Sequence, residues 1–194
     1  MLARLLAEVG APEPGRDPGR PDAADHYGAL VRSIVGQQLS VTAARAIYGR
    51  LLARFDGRPP TPHEVLADDP EELRAAAGLS RGKVSFLRSL AEHVTDGRLE
   101  LAKVAELPDE QVIAELIAVK GIGEWSAHMF LMFQLERPDV LAVGDLGVRR
   151  AVERAWGLEM MPTPAELTEL AEPWRPYRTT ACRLLWRSLD NAPG

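Results

Sequence analysis

Apolar residues recur three and four positions apart along most of the chain, which is the spacing that places them on one face of an α-helix. One such face carries Tyr27, Leu30, Val31, Ile34 and Val35. No stretch alternates apolar and polar residues convincingly over the length of a strand. The pattern therefore predicts an all-α protein.

Capping signals mark where these helices begin and end. Ser40 is the predicted N-cap of a long helix that reaches Phe55. Gly78 and Gly97 follow predicted helix ends, and residues 11–25 form a predicted linker rich in proline and glycine. Three later helices open with a capping residue, a proline and then a glutamate in the third helical position. These starts are Thr61-Pro62-His63-Glu64, Asp69-Pro70-Glu71-Glu72 and Thr163-Pro164-Ala165-Glu166.

A tight hairpin joins two predicted helices within residues 107–133, and the second helix is expected to start at Gly123. Gly121 and Gly123 flank Ile122, and a glycine adopts positive φ without a Cβ clash and lets another backbone come close. The N–H groups at the start of the second helix would point outward, as they do at helix ends that bind phosphate. On these residues alone, an ordinary helix–helix turn is the favoured interpretation.

The composition is that of an ordinary soluble protein. The 194 residues, 46% of them apolar and 26% charged, suit one compact domain over residues 1–194, in one lobe or two. A single cysteine, Cys182, excludes a disulfide framework and an iron–sulfur cluster, and it suits a reducing cytoplasm. Because no apolar run approaches the length of a membrane span, no membrane partner is expected.

The net charge of −5 argues against DNA as a partner, since contacts to phosphate need positive charge. The charges are unevenly distributed along the chain, however. Basic residues crowd the last quarter, at Arg149, Arg150, Arg175, Arg178, Arg183 and Arg187. Acidic residues concentrate elsewhere, at Asp68, Asp69, Glu71 and Glu72. We therefore expect a polarised surface with modest affinity for DNA.

Two segments carry a resemblance to a known family. Residues 119–127, Val-Lys-Gly-Ile-Gly-Glu-Trp-Ser-Ala, resemble the hairpin of the helix-hairpin-helix/Gly-Pro-Asp DNA glycosylase superfamily. Residues 140–150, which contain Asp145, resemble the loop and aspartate of the same superfamily. The resemblance covers most of residues 27–190. It implies two helical lobes with a cleft between them, and it points to the 3-methyladenine DNA glycosylase II branch, in a short form without the N-terminal β domain.

The resemblance implies that Asp145 is the catalytic residue. A fixed anion near C1′ stabilises the oxocarbenium-like transition state of glycosidic bond cleavage and can orient the attacking water. The position of Asp145 before a predicted helix also suits an N-cap, and the two roles are compatible. Asp139 is the nearby competitor, but it lies before the loop and fits the motif less well.

Trp125 marks a departure from part of the superfamily. Members that also cleave the DNA backbone hold a lysine at this place in the hairpin, where it forms a Schiff base with C1′. Tryptophan cannot act as a nucleophile, and Lys120 lies on the other side of the turn. The resemblance therefore implies a monofunctional enzyme that uses water and has no lyase activity.

A flipped base needs a pocket, and the electron-rich faces of aromatic side chains attract a cationic alkylated purine. The resemblance implies a pocket formed by Trp125, Trp186, Tyr27 and Met129. Met129 stands where the best-known bacterial relative has an aromatic residue, so the lesion range stays open. Hypoxanthine, 1-methyladenine and 3-methylcytosine are alternatives to 3-methyladenine.

The segment Gln37-Gln38-Leu39-Ser40 resembles the loop that fills the hole left by the flipped nucleotide. Gln38 aligns with the wedge residue, and Leu39 is next to it. Alternatively, Leu39 belongs to the core and the glutamines cap helix ends. Further DNA contacts are implied for the hairpin residues Lys120, Gly121, Gly123 and Ser126.

No cofactor is expected, apart from a structural Na⁺ or K⁺ on the backbone carbonyls of Ile117, Val119 and Ile122. The expected function is excision of alkylated bases such as 3-methyladenine from damaged double-stranded DNA. The expected form is a cytoplasmic monomer, associated with the nucleoid in a prokaryote. Two alternatives stay open, a non-catalytic helix-hairpin-helix module that only binds DNA and an all-α protein-interaction domain.

Overall fold

The computed structural model describes residues 1–11 and 26–190, so nearly all of the predicted linker over residues 11–25 lies outside the described residues. Within the described residues the chain forms α-helices and two short 3-10 turns, and no strand, which confirms the all-α prediction. The helices are α1 (Leu2–Val9), α2 (His26–Gly36), α3 (Val41–Arg54), α4 (Pro62–Ala67), α5 (Pro70–Ala77), α6 (Arg81–Thr95), α7 (Asp109–Ile117), α8 (Glu124–Phe133), α9 (Leu146–Trp156), α10 (Pro164–Leu170) and α11 (Arg178–Asp190). The 3-10 turns are Val104–Glu106 and Glu172–Trp174.

The predicted capping signals are confirmed. Thr61 and Thr163 each form a reciprocal capping box with the glutamate three residues later. The Asp69 carboxylate accepts the N–H groups of Glu71 and Glu72 at 2.9 and 3.0 Å. Ser40 caps α3 by accepting the N–H of Ala43. These local bonds satisfy N–H groups that the helix itself leaves without acceptors.

The two helices of the hairpin differ slightly from the expected bounds. Pro108 is the N-cap of α7 and lies just outside it, where its missing N–H costs no hydrogen bond. The following helix, α8, starts at Glu124, one residue later than expected, and its first backbone bond runs from Ala127 N–H to Gly123 O at 3.0 Å. Gly123 therefore precedes the helix.

The chain divides into two compact units, and the first comprises residues 21–130. In it, α6 packs against α2, α4 and α5, while α3 packs against α2 and α5. Its fully buried side chains are mainly leucines, with Leu30, Ile34, Leu51, Leu73, Leu87, Leu90, Leu99 and Leu116 among the largest. The interlocked helices hold the hairpin at one side of this core.

The second unit comprises residues 1–20 together with 131–194. Here α11 packs against both α9 and α1. Arg4 of α1 donates to the carbonyl of Ala155 at 3.3 Å, and Arg187 of α11 donates to that of Ala11 at 3.1 Å. The core of this unit includes Leu131, Val148, Val152, Leu167 and Leu185. No described helix in either unit is long and apolar enough to cross a membrane.

Gly121 is held where no other residue fits. Its φ is +88°, in the left-handed region, and an added Cβ would lie 2.2 Å from the Phe86 ring of α6. The ring lies against the turn, so the glycine serves both the backbone conformation and the close approach of α6.

Gly121→Ala is expected to lower the free energy of unfolding by on the order of 2–4 kcal/mol, through strain at positive φ and overpacking against Phe86. Gly49→Ala is the matched control. Gly49 lies within α3 with no atom within 4 Å of an added Cβ. Gly49→Ala should raise the free energy of unfolding by about 0.5–1 kcal/mol, because alanine favours the helical conformation. Urea denaturation measures both, and a Gly121→Ala protein as stable as the wild type would contradict this account.

Candidate functional site

The carboxylate of Asp145 is fixed by two donors on the same oxygen. Asp145 is the N-cap of α9, and its Oδ1 accepts the N–H of Val148 at 2.7 Å. The same atom accepts the indole N–H of Trp186, from α11, at 2.8 Å. Hydrogen bonds to a carboxylate are charge-assisted and directional, so together they set the position and plane of the group. The predicted N-cap role is confirmed.

An aromatic surface adjoins this carboxylate. The Trp186 ring stacks on Phe133, with 6.1 Å between ring centroids and 25° between planes. The guanidinium carbon of Arg183 lies 6.0 Å from the centroid of the Phe133 ring. Sequence analysis did not single out Phe133, because an aromatic residue at the end of an apolar helix has no signal that separates it from core.

Gly147 leaves the space in which Asp145 and Trp186 meet. An added Cβ would lie 3.0 Å from Asp145 Oδ1 and 3.1 Å from Trp186 Cδ1. Both distances are tighter than ordinary van der Waals contact, so one neighbour would have to move. The glycine therefore permits the contact between the indole and the carboxylate.

Asp139, the competing carboxylate, is bound by arginines. Its oxygens accept from Arg178 Nε at 2.7 Å and from Arg175 Nη1 at 2.7 Å. Burial alone would raise the pKa of Asp139, but the hydrogen bonds and charge of Arg178, with the charge of Arg175, outweigh burial and lower it. This ion-pair cluster ties the segment before Asp145 to the start of α11, which is a structural role.

The hairpin lies in the first unit, and its lysine is anchored to α6. The backbone N–H of Lys120 donates to Ser89 Oγ at 3.2 Å, and its Nζ donates to Ser85 Oγ at 3.1 Å. Gly123 is exposed, whereas Ser126 is buried, with 7% of its surface accessible. Contact between the Ser126 side chain and DNA stays a prediction, and the burial of this residue disfavours it.

The loop between α2 and α3 is bonded to the hairpin. The side-chain amide of Gln37 donates to the carbonyl of Gly121 at 2.8 Å. Gln38 is exposed and has a φ of +56°, which is unusual for a residue with a side chain. Leu39 is 37% exposed, so the alternative that places it in the core is wrong. The Gln37 bond joins the two elements for which the resemblance implies DNA contacts.

Lys83, near the start of α6, is bonded to the end of α2. Its Nζ donates to the carbonyl of Val35, in the last turn of α2, at 2.7 Å. Burial lowers the pKa of this lysine. Lys83 thus fixes the end of the helix from which the Gln37–Leu39 loop departs.

The remaining pocket candidates belong to the first unit, whereas Trp186 belongs to the second. Trp125 is 49% exposed, while Tyr27 and Met129 are buried. The structure thus brings Trp186 to Asp145, and the grouping of the other three with them stays a prediction.

The monovalent cation also stays a prediction. Of its three residues, Ile117 is exposed, whereas Val119 and Ile122 are buried. The Val119 carbonyl accepts the Ile122 N–H at 3.1 Å, which uses one of the two lone pairs of that oxygen.

The fold and the two motifs define a class of protein. The chain belongs to the HhH-GPD superfamily of base excision DNA repair proteins, which matches residues 31–176. It is 35% identical to DNA-3-methyladenine glycosylase 1 of Schizosaccharomyces pombe over 187 residues, covering 95% of this chain and 80% of the relative.

Solved structures give the same relationship. A DNA-3-methyladenine glycosidase from Bacillus halodurans superposes with a TM-score of 0.85 at 36% identity, covering 98% of this chain and 84% of the other. The S. pombe enzyme Mag1, solved in complex with abasic DNA, gives 0.80 at 32% identity, with 98% and 91% covered. These neighbours confirm the predicted glycosylase fold and DNA as the binding partner of this class.

Gly147→Ala should separate the Trp186 indole from Asp145, because the new Cβ occupies the space between them. The indole N–H of Trp186 is expected to exchange with solvent faster, and its NMR resonance to shift. Gly144→Ala is the control, since nothing lies within 4 Å of a Cβ added there. An unchanged Trp186 indole signal in Gly147→Ala would show that the site absorbs the extra methyl group.

Proposed function

We propose that this protein is a monofunctional DNA glycosylase that removes alkylated bases such as 3-methyladenine from double-stranded DNA, acting as a monomer. The observation that carries the proposal is the Asp145 carboxylate, fixed by Val148 and Trp186 beside an aromatic surface. The named relatives, which are 3-methyladenine glycosylases, support the choice of lesion.

The chemistry requires an anion near C1′ of the damaged nucleotide. As the bond from C1′ to the base nitrogen breaks, its electron pair leaves with the base and positive charge develops on the sugar. Asp145 stabilises that charge, water adds to C1′, and the water's proton passes to the carboxylate or to solvent. Because a base alkylated at a ring nitrogen is cationic, it departs as a neutral molecule and needs no strong acid.

The same cationic character supports selection by aromatic faces. A cation over a tryptophan or phenylalanine ring is stabilised by roughly 0.5–2 kcal/mol, depending on desolvation. Trp186 and Phe133 present such a surface next to the carboxylate. In this proposal, the flipped base binds against Trp186, and Trp125, Tyr27 and Met129 are further candidates for contact with it.

Water is the proposed nucleophile, because the protein nucleophiles considered for the motif are each unsuited to attack C1′. The resemblance puts Trp125 at the hairpin position of the lyase lysine, and an indole cannot attack C1′. Burial raises the pKa of the Cys182 thiol to about 12, so no useful thiolate is present at neutral pH. The amines of Lys120 and Lys83 donate to Ser85 and Val35.

Asp145→Asn is expected to reduce base release by on the order of 10²–10³-fold or more, because it removes the charge that stabilises the transition state. The asparagine Oδ1 can still accept the N–H of Val148 and the indole of Trp186, so the fold should persist. Asp139→Asn is the control. It should lower the stability of the protein and leave the rate of base release unchanged when that rate is measured at saturating enzyme. The assay measures free base from methylated DNA.

The same assay separates the alternatives. Wild-type turnover in Asp145→Asn would refute the assignment. A wild-type protein that binds abasic-analogue DNA but releases no base would be a DNA-binding module without catalysis. Failure to bind that DNA at low salt would favour a protein-interaction domain.

Gln38 is the proposed plug, since it is exposed at the tip of its loop with φ of +56°. Gln38→Ala should weaken binding to abasic-analogue DNA more than binding to intact duplex, because the plug acts only after the nucleotide has left the stack. Gln37→Ala removes the bond to Gly121 and should weaken binding to both. Equal losses on the two DNAs in Gln38→Ala would return this residue to a structural role.

No lyase activity is expected. The product should be an intact abasic strand that breaks only after alkali, and borohydride should trap no covalent complex, because no amine is proposed to reach C1′. Lys120→Ala and Lys83→Ala are the diagnostic variants. An adduct trapped by the wild type and lost in one of them would make the protein bifunctional and identify its lysine.

A further inference from the structure

A cavity of about 480 Å³ lies in the first unit, beside the hairpin, between α5 and α6. Its volume falls within the range of roughly 300–1,000 Å³ that is common for ligand sites. Its charged lining consists of four cations and two carboxylates, which are Arg74, Arg81, Arg88, Lys120, Glu71 and Glu92. The excess of positive charge is local, because the whole chain carries a net charge of −5.

Two of the four cations are occupied. Arg88 donates to the carbonyls of Val65, Leu66 and Asp68, so it closes the end of α4. Arg74 pairs with Glu71 at 2.8 Å.

The other two cations can serve a ligand. Arg81 is 83% exposed in its side chain and reaches Glu71 only at 3.4 Å, a distance at which an exposed pair is weak. Lys120 Nζ donates to the neutral hydroxyl of Ser85 and forms no ion pair with any described residue. Both positive charges are therefore available at the cavity.

The geometry of α6 adds to the attraction for an anion. Arg81 is the first residue of this fifteen-residue helix, where backbone N–H groups and the helix dipole favour negative charge. Arg81, Ser85 and Arg88 recur at helical spacing and line the cavity from one face. Ser85 and Ser89 also hold Lys120, so the hairpin and this face form one continuous surface.

We propose that the cavity binds a backbone phosphate of the DNA strand, next to the phosphates that the hairpin holds. The inference rests on the proposed function for its ligand. DNA is favoured over a free phosphate compound because Lys120 belongs both to the DNA-binding motif and to the cavity wall. The positive track therefore continues from the hairpin along α6 to Arg81.

The test measures how the affinity for abasic-analogue duplex depends on salt. Arg81→Gln should reduce the slope of log affinity against log salt by about 0.9, the amount for one phosphate contact. Arg98→Gln is the control, since Arg98 is another exposed arginine of the same unit, outside the cavity and paired with Asp96. It should keep the wild-type slope, and Arg81→Lys should also keep it.

Glu71→Gln provides a test of opposite sign. Removing this carboxylate frees Arg74 from its ion pair and takes a negative charge away from Arg81, so it should strengthen DNA binding, whereas a merely structural role of the cluster would weaken it. The difference in DNA affinity between the wild type and Arg81→Gln should also vanish once the duplex is shortened, on one side of the lesion, so that it no longer reaches the cavity. An unchanged slope in Arg81→Gln, or weaker binding in Glu71→Gln, would overturn the proposal.

Two further measurements distinguish free phosphate from DNA phosphate as the ligand, and distinguish failure of this proposal from failure of the glycosylase assignment. If inorganic phosphate raises the Tm of the DNA-free protein above that in chloride at equal ionic strength, while Arg81→Gln keeps the DNA slope, the site takes free phosphate and the proposal is wrong. Base release by the wild type is measured separately. Absence of release together with a reduced Arg81→Gln slope would refute the glycosylase assignment and leave the phosphate site standing.

Discussion

The Oδ1 atom of Asp145 accepts one hydrogen bond from the start of its own helix and another from an indole on α11. Each bond restrains the carboxylate only because its donor is itself fixed by the packing of the helix to which it belongs. The packing of α9 against α11 holds the two helices together, and Gly147 leaves room for the ring. The Asp139 ion pairs secure the start of α11. The position of one acceptor atom thus depends on α9, α11 and the segment that contains Asp139, as expected for a preorganised charge.

In the first unit, the polar contacts around the hairpin fix the backbone of the turn and not a charged side chain. Gly121 admits the Phe86 ring, Gln37 bonds the carbonyl of that glycine, and Ser89 takes the N–H of Lys120. These contacts fix a turn whose exposed backbone groups can meet phosphate. The loop, the hairpin and α6 are therefore joined to one another, and the positive charge of their surface comes from few residues in an acidic chain.

The helices could be predicted from local sequence signals, whereas contacts between residues far apart in the sequence could not. The capping residues at Ser40, Thr61 and Asp145 act within four residues, so the sequence alone predicts them. The Gln37 bond to Gly121 joins residues 84 positions apart, and the Lys83 bond to Val35 spans 48. Such contacts depend on how helices pack, which periodicity does not encode.

The contact of α1 with α11 makes the second unit discontinuous in sequence, since Arg187 and Ala11 are 176 residues apart. During synthesis the N-terminal part of the chain emerges from the ribosome first, and compact units tend to fold as they emerge. The hairpin unit has its whole sequence available once residue 130 has been made. The first helix, in contrast, has no α11 to pack against until residues 178–190 have been synthesised. The unit with the hairpin can thus form before the unit with Asp145 has all of its helices.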